Sequence, residues 1–313
     1  MRDDAGAAEL IPLFPRFWQH GHVLIPDSPL ADAARQYLTA EDAAAWIGLL
    51  RPAFHLRERA AGEPVVGYLG GSPLLPEDVE WPTWERHGPL AFIGAIDCGE
   101  LPVKELDIPL PADGALLFFY FDGQIDDSDV VDDDQWTTPA DGAAGSRVLY
   151  VPADAEMSER IAPEPLGEYD RILLSGEVTA TGPDFDHPAF RAGFGDPYDP
   201  ASPHQALAGD AFSAAVDEVY QAQAPNHQIA GYARPVQSSI ENEAARTAYP
   251  VKSDAALVAR AELAGQLIVL AQIDSEYSNG MAWGDAGTLY WLIRPEDLAA
   301  LRLDAALFTW QSH

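Results

Sequence analysis

The chain has 313 residues, of which 47% are hydrophobic and 22% charged, enough to bury a sizeable core without disulfide or metal staples. Its 18 Lys and Arg against 50 Asp and Glu leave a formal net charge of −32. Such a field repels phosphate backbones and anionic lipid heads, and no basic cluster offsets it, so neither nucleic acid nor a membrane surface is expected as a partner.

The acidity reads first as a solubility device and second as attraction to a cationic partner protein, and composition leaves both open. One cysteine, Cys98, excludes an internal disulfide framework and fits a reducing compartment. Pro12 and Pro15 break the brief apolar stretch near the start, so no signal-peptide core is expected. No run reaches the ~18 to 20 apolar residues of a membrane-spanning helix. A soluble cytoplasmic protein is the expectation.

In chain order, Ser28-Pro29 predicts a helix start, with Ser as N-cap and Pro at the first helical position, and the helix runs to about Leu38. Thr39 caps a second helix, with Asp42 three residues on and an apolar face of Ala44, Ala45, Trp46, Ile47, Leu49 and Leu50 that Pro52 interrupts. Residues 28–61 are thus expected to form an N-terminal helical segment. From Gly62 the style changes to glycine and proline punctuation, and Gly70-Gly71 predicts a tight turn or a close backbone approach. Residues 90–96 and 115–121 are continuous apolar runs, which predicts strands covered on both faces.

Residues 122–134 form an acidic stretch with Asp126, Asp127, Asp129, Asp132, Asp133 and Asp134. It lacks the mid-loop glycine and terminal glutamate of an EF-hand, so a solvated excursion is expected over a calcium loop. Short strands are predicted at 148–151 and 171–174. A helix carries Phe212, Val216, Val219 and Tyr220 on one face and stops before Pro225. Another is capped by Ser253 and ends at Gly265, delivering the chain into strands at 266–275 and 287–293. A short helix begins at Pro295 and a last strand covers 306–310.

Two of these stretches match. Setting the Ile96-Asp97 pair on Ile273-Asp274 aligns 90–98 with 267–275 at an offset of 177. Each run is followed by a glycine that opens an aromatic strand, Gly114 and Gly287, and preceded by a glycine-and-proline element. The fold class expected is α+β and internally duplicated. It has mainly antiparallel sheets with short strands, an N-terminal helical segment and helices packed on the sheets. It is a single domain, 1–313, with pseudo-repeats at 62–180 and 204–313.

The same residues carry a family resemblance. Gly70-Gly71-Ser-Pro-Leu-Leu-Pro76, Trp81-Pro82, Pro89 to Asp97 and Leu110 to Phe119 resemble the first block of the YwqG-like family, a domain of unknown function, DUF1963. His227-Gln-Ile-Ala-Gly231-Tyr, Pro235-Val-Gln237, Leu270 to Ser275 and Trp283-Gly-Asp-Ala-Gly287 resemble its second. The resemblance runs from about Arg51 to the C-terminus. Gly94-Ala95 stands where the family has Ala-Gln, and 154–203 is expanded. The resemblance implies a bacterial, cytoplasmic, internally duplicated α and β fold and carries no assigned reaction.

Asp97 and Asp274 end equivalent strands. A pseudo-two-fold would bring the two carboxylates to one interface as an acid and base pair or a cation site. The plainer reading, which the residues favour, is that each caps the turn after its strand. His227, Gln237, Gln272, Asp274, Trp283 and Asp285 are the polar and aromatic residues of the second half. His227 held by Asp285 would be a general base, against the favoured reading of a buried polar network that fixes strand register. No H-x-x-x-H or H-E-x-x-H spacing occurs, so no metal and no cofactor is expected. The function expected is a non-enzymatic protein-binding or regulatory, toxin-neutralising factor with a cationic partner. The alternative is a small-molecule-binding enzyme, a hydrolase, with Asp97, His227, Asp274 and Asp285 in a cleft between the halves.

Overall fold

The computed structural model describes residues 25–85, 87–122, 144–249 and 253–313. Two capped helices open it. Ser28 Oγ accepts the Ala31 N–H of α1 (Pro29–Tyr37), and Thr39 Oγ1 accepts the Asp42 N–H of α2 (Ala40–Ile47), each satisfying one orphan donor of a first helical turn. The helical segment expected over 28–61 then ends early: β1 (Arg51–Glu58) is a strand. Pro52 sits near its start, one residue before the ladder to β11 (His227–Ala230) begins at Ala53, where a missing N–H is tolerated.

The remaining strands of the first half are β2 (Gly67–Leu69), β3 (Leu74–Leu75), β4 (Thr83–Trp84), β5 (Gly88–Pro89), β6 (Ala91–Asp97), β7 (Ala115–Tyr120), β8 (Ser146–Val151), β9 (Ser158–Glu159) and β10 (Ile172–Thr181). After α3 (Pro188–Phe194) and α4 (Asp210–Gln223) come β11, α5 (Ile240–Ala248), α6 (Asp254–Ala264), β12 (Ile268–Asp274), β13 (Thr288–Ile293), α7 (Pro295–Ala299) and β14 (Leu307–Gln311). The result is a mixed α+β fold around one ten-stranded, wholly antiparallel sheet in the order β14-β13-β12-β11-β1-β10-β2-β6-β7-β8.

That order is the same from either end. Reading outward from the central β1–β10 pair gives β11, β12, β13, β14 on one arm and β2, β6, β7, β8 on the other. β6 and β12 start and stop 177 residues apart, at 91 and 268 and at 97 and 274. The ladder to the next strand slips at the same place in both, between Phe92 and Gly94 and between Val269 and Ala271. A β-bulge kept in both arms re-aims the strand in the same way twice.

The entrance to each arm is alike as well. Gly70 and Gly71 have φ of +66° each, and Ala230 and Gly231 have +65° and +70°. The side chain four residues before the next carbonyl then pins the turn: Tyr68 OH donates to Ser72 O at 3.5 Å, and Gln228 Nε2 donates to Tyr232 O at 2.9 Å.

The sheet curls until its arms meet. Phe118 and Tyr120 of one arm lie 5.1 Å from Trp291 and 5.0 Å from Phe308 of the other, ring centre to ring centre, and close the core from inside. Each such fully buried large side chain contributes ~1.5–3 kcal/mol of transfer free energy. On the outside, Ile240 and Ala244 of α5 cover Val269, Tyr290 and Leu292, while Leu75 and Trp84 cover Phe92, Leu117 and Phe119. Leu30, Trp46, Phe190 and Phe212 join α1 to α4 in a separate helical layer. Among the described residues no helix is long and apolar enough to cross a membrane.

Candidate functional site

Topology settles where the two equivalent aspartates lie. Five antiparallel steps separate β12 from β6 across β11, β1, β10 and β2, so the two strands run in opposite directions and end at opposite edges of the sheet. Asp97 and Asp274 therefore do not meet, and the shared acid pair expected from the duplication is not formed.

Asp97 is exposed, and its Oδ1 accepts the Gly99 N–H at 2.9 Å, capping the 3-10 turn after β6. Around it, Glu100, Asp113 and Asp154 are also exposed, and Tyr150 OH donates to Asp113 Oδ1 at 3.1 Å. Cys98 lies buried beneath them. Burial first, then the Asp97 and Asp113 charges, push its thiol up to about 12, so it holds its proton and is inert as a nucleophile.

Asp274 has the opposite surroundings. Its Oδ2 accepts the Asn226 N–H at 2.8 Å and its Oδ1 accepts Thr288 Oγ1 at 2.9 Å and Gln272 Nε2 at 3.1 Å. Gln272, fully buried, also donates to Asn226 O and accepts the Arg234 N–H at 2.8 Å. His227 is 1% exposed; its Nδ1 accepts the Asp274 N–H at 3.0 Å, which leaves the neutral ring's proton on Nε2, 3.6 Å from Glu276 Oε2. That contact and the Ser278 N–H hold the Glu276 carboxyl down to about 2. These bonds tie the N-terminus of β11 to the end of β12.

The other expected residues lie apart from this network. The Asp285 side chain is exposed and makes no hydrogen bond among the described residues, so it does not hold His227. Gln237 is exposed and donates to Ser312 O at 2.5 Å. Trp283 is a core residue, edge-on to Tyr120 at 6.0 Å and Tyr169 at 5.9 Å. Asp126, Asp127, Asp129, Asp132, Asp133 and Asp134 lie outside the described residues. Among the described residues no group of three or more His, Cys, Asp or Glu is placed to hold a metal ion.

A second polar place carries no sequence motif. A cleft of about 240 Å³ lies between α3 and α5, lined by Asp186, Arg191, Ser238, Ser239, Asn242, Glu243 and Arg246. Behind it Glu241 is buried, accepting Ser239 Oγ at 2.8 Å and facing His187 Nε2 at 3.5 Å.

A family model for a domain of unknown function, DUF1963, matches residues 68–312. The chain belongs to the DUF1963 family. No curated protein matches it. The DUF1963 match begins inside β2 and runs almost to the C-terminus, so both arms, the Asp274 network and the cleft lie within it. β1, which forms the central pair with β10, lies before it.

From β1, Arg51 reaches the buried groups behind the cleft of this DUF1963 chain. It makes a bidentate pair with Asp107 at 2.8 and 3.0 Å and lies 5.3 Å from the centre of the Tyr232 ring, which also meets the His187 ring at 4.7 Å. Burial, helped by the Arg51 charge, pushes the His187 imidazole down to about 3, and burial raises the Glu241 carboxyl. His187 is therefore neutral at pH 7, with Nδ1 accepting the Ala189 N–H and Nε2 carrying the proton toward Glu241. Arg51, Asp107, His187 and Glu241 come from four separate segments with no spacing to link them, which is why sequence reasoning passed over them.

Proposed function

We propose that this protein is a non-enzymatic protein-binding factor whose exposed acidic edge, formed by Asp97, Glu100, Asp113 and Asp154, engages a cationic partner protein, as a regulatory or toxin-neutralising factor would. The observation that carries this reading is the contrast between the two arms. The strand-end aspartate of one arm faces solvent among other carboxylates, and its counterpart is consumed by structural hydrogen bonds. With a net charge of −32 behind it, the edge lies in a field that attracts and orients a basic surface before contact. The hydrolase reading needs Asp97, His227, Asp274 and Asp285 in one cleft, and their placement lends it no support.

The test is affinity capture with the purified protein from cells that produce it, at low and at moderate salt, beside a variant carrying Asp97→Lys, Asp113→Lys and Asp154→Lys. The reading expects a basic protein that wild type captures and the variant does not. Absence of any salt-sensitive partner counts against it.

A further inference from the structure

We propose that the cleft between α3 and α5 binds a small amphoteric carboxylate, of the size of a single free amino acid. This site is formed by other residues than the acidic edge and does not rest on the partner reading.

Among the described residues several arginines are committed to carboxylates: Arg51 to Asp107, Arg57 to Glu63, Arg171 to Glu159, Arg234 to Asp217, and Arg294 and Arg302 to Asp297. Arg246 has no such partner. It lines the cleft, and among the described residues its guanidinium has neither an ion pair nor a hydrogen bond. One turn earlier on α5, the Asn242 side-chain amide is likewise unengaged among the described residues. A planar fork beside an amide donor is the arrangement that takes up a carboxylate through two parallel N–H bonds.

The other charged groups of the lining are already held in place. Glu243 accepts Ser238 Oγ and Thr309 Oγ1, each at 3.0 Å, and Arg191 is tied to both Asp186 and Asp196. Glu243 and Asp186 remain the anionic acceptors of the lining, which suits an ammonium group and disfavours a phosphate. That pairing of a free cation with fixed anions selects a ligand bearing both signs. Size narrows it further. A volume of about 240 Å³ is below the ~300–1,000 Å³ of pockets for drug-sized ligands.

The test is titration calorimetry of the full chain with the standard free amino acids, and with acetate and inorganic phosphate as controls that carry only negative charge. One or more amino acids bind at one site, and acetate and phosphate bind at least about tenfold more weakly. Arg246→Ala lowers the amino-acid affinity by about tenfold or more, and Arg246→Lys, which keeps the charge without the fork, falls between. Arg246 is exposed, so the variants are expected to melt with wild type; should Arg246→Ala not fold, Asn242→Ala is the replacement, with the same expected loss. The proposal is overturned if no amino acid binds, if phosphate or acetate binds as well as the amino acids, or if affinity survives in the variants.

Discussion

Asp97 and Asp274 close the same strand in the two arms and face opposite edges of the sheet, one in solvent and one locked by three side-chain hydrogen bonds. The two positions therefore differ in what they do for stability. Asp97→Asn keeps an N-cap acceptor and is expected within about 0.5 kcal/mol of wild type. Asp274→Ala strands the Asn226 N–H, Thr288 Oγ1 and Gln272 Nε2 together, and is expected to cost about 2–4 kcal/mol. Urea unfolding of both variants checks the pair.

The turn after β11 offers a sharper comparison. A Cβ on Gly231 would lie 2.5 Å from Thr181 Oγ1 and 2.6 Å from Ala53 Cβ, at a φ of +70°. Strain of ~1–2 kcal/mol adds to overpacking of ~1–3 kcal/mol, so Gly231→Ala is expected to destabilise by about 3 kcal/mol. Its neighbour Ala230 already tolerates a φ of +65° with its methyl buried. In Ala230→Gly, relief of about 1 kcal/mol is offset by the loss of a buried methyl worth about 0.8 kcal/mol, and thermal or urea melts should place it close to wild type.

Acid acts on the groups behind the cleft with a definite sign. The folded chain holds His187 neutral down to about 3, against an ordinary 6.5. Between those values the unfolded chain takes the proton and the folded one does not, so this group removes stability as pH falls, by at most about 1.4 kcal/mol per pH unit. Glu241, with its carboxyl raised by burial, opposes this by favouring the folded state as it protonates. His187→Asn keeps an acceptor for the Ala189 N–H and removes the first contribution alone. Its stability should fall less steeply than wild type between pH 6.5 and 3. At lower pH the depressed Glu276 carboxyl takes over: its contribution is full above about 4.5 and is lost as pH falls through about 2, so Glu276→Gln should flatten that limb. Urea midpoints across pH read out both.

Much of the architecture was legible in the sequence. Ser28, Thr39 and Ser253 mark helix starts because a capping oxygen acts locally, and Ile96-Asp97 against Ile273-Asp274 aligns β6 with β12 in register. β1 and most of β10 were not, for a physical reason. Both carry polar residues such as His55, Arg57, Ser175, Glu177 and Thr179, and Pro52 reads as an interruption of the preceding helix rather than as the start of a strand. Their pairing is a long-range choice that no local pattern records. The site divides in the same way. Capping by Asp97 follows from its neighbours, but its separation from Asp274 depends on the parity of strand steps between them. The Arg51, His187 and Glu241 contacts depend on the completed sheet.

Docking of a cationic partner on the acidic edge is tested by the affinity of the captured partner for wild type and for the Asp97→Lys, Asp113→Lys, Asp154→Lys variant over a salt series. The substitutions change the net charge by 3 × 2 = 6, from −32 to −26, so a diffuse effect of overall acidity leaves most of the binding intact. A docking edge predicts that the variant loses at least about a hundredfold in affinity at ~0.15 M salt, through the association rate above all. Equal binding by the two proteins would rule out docking at this edge.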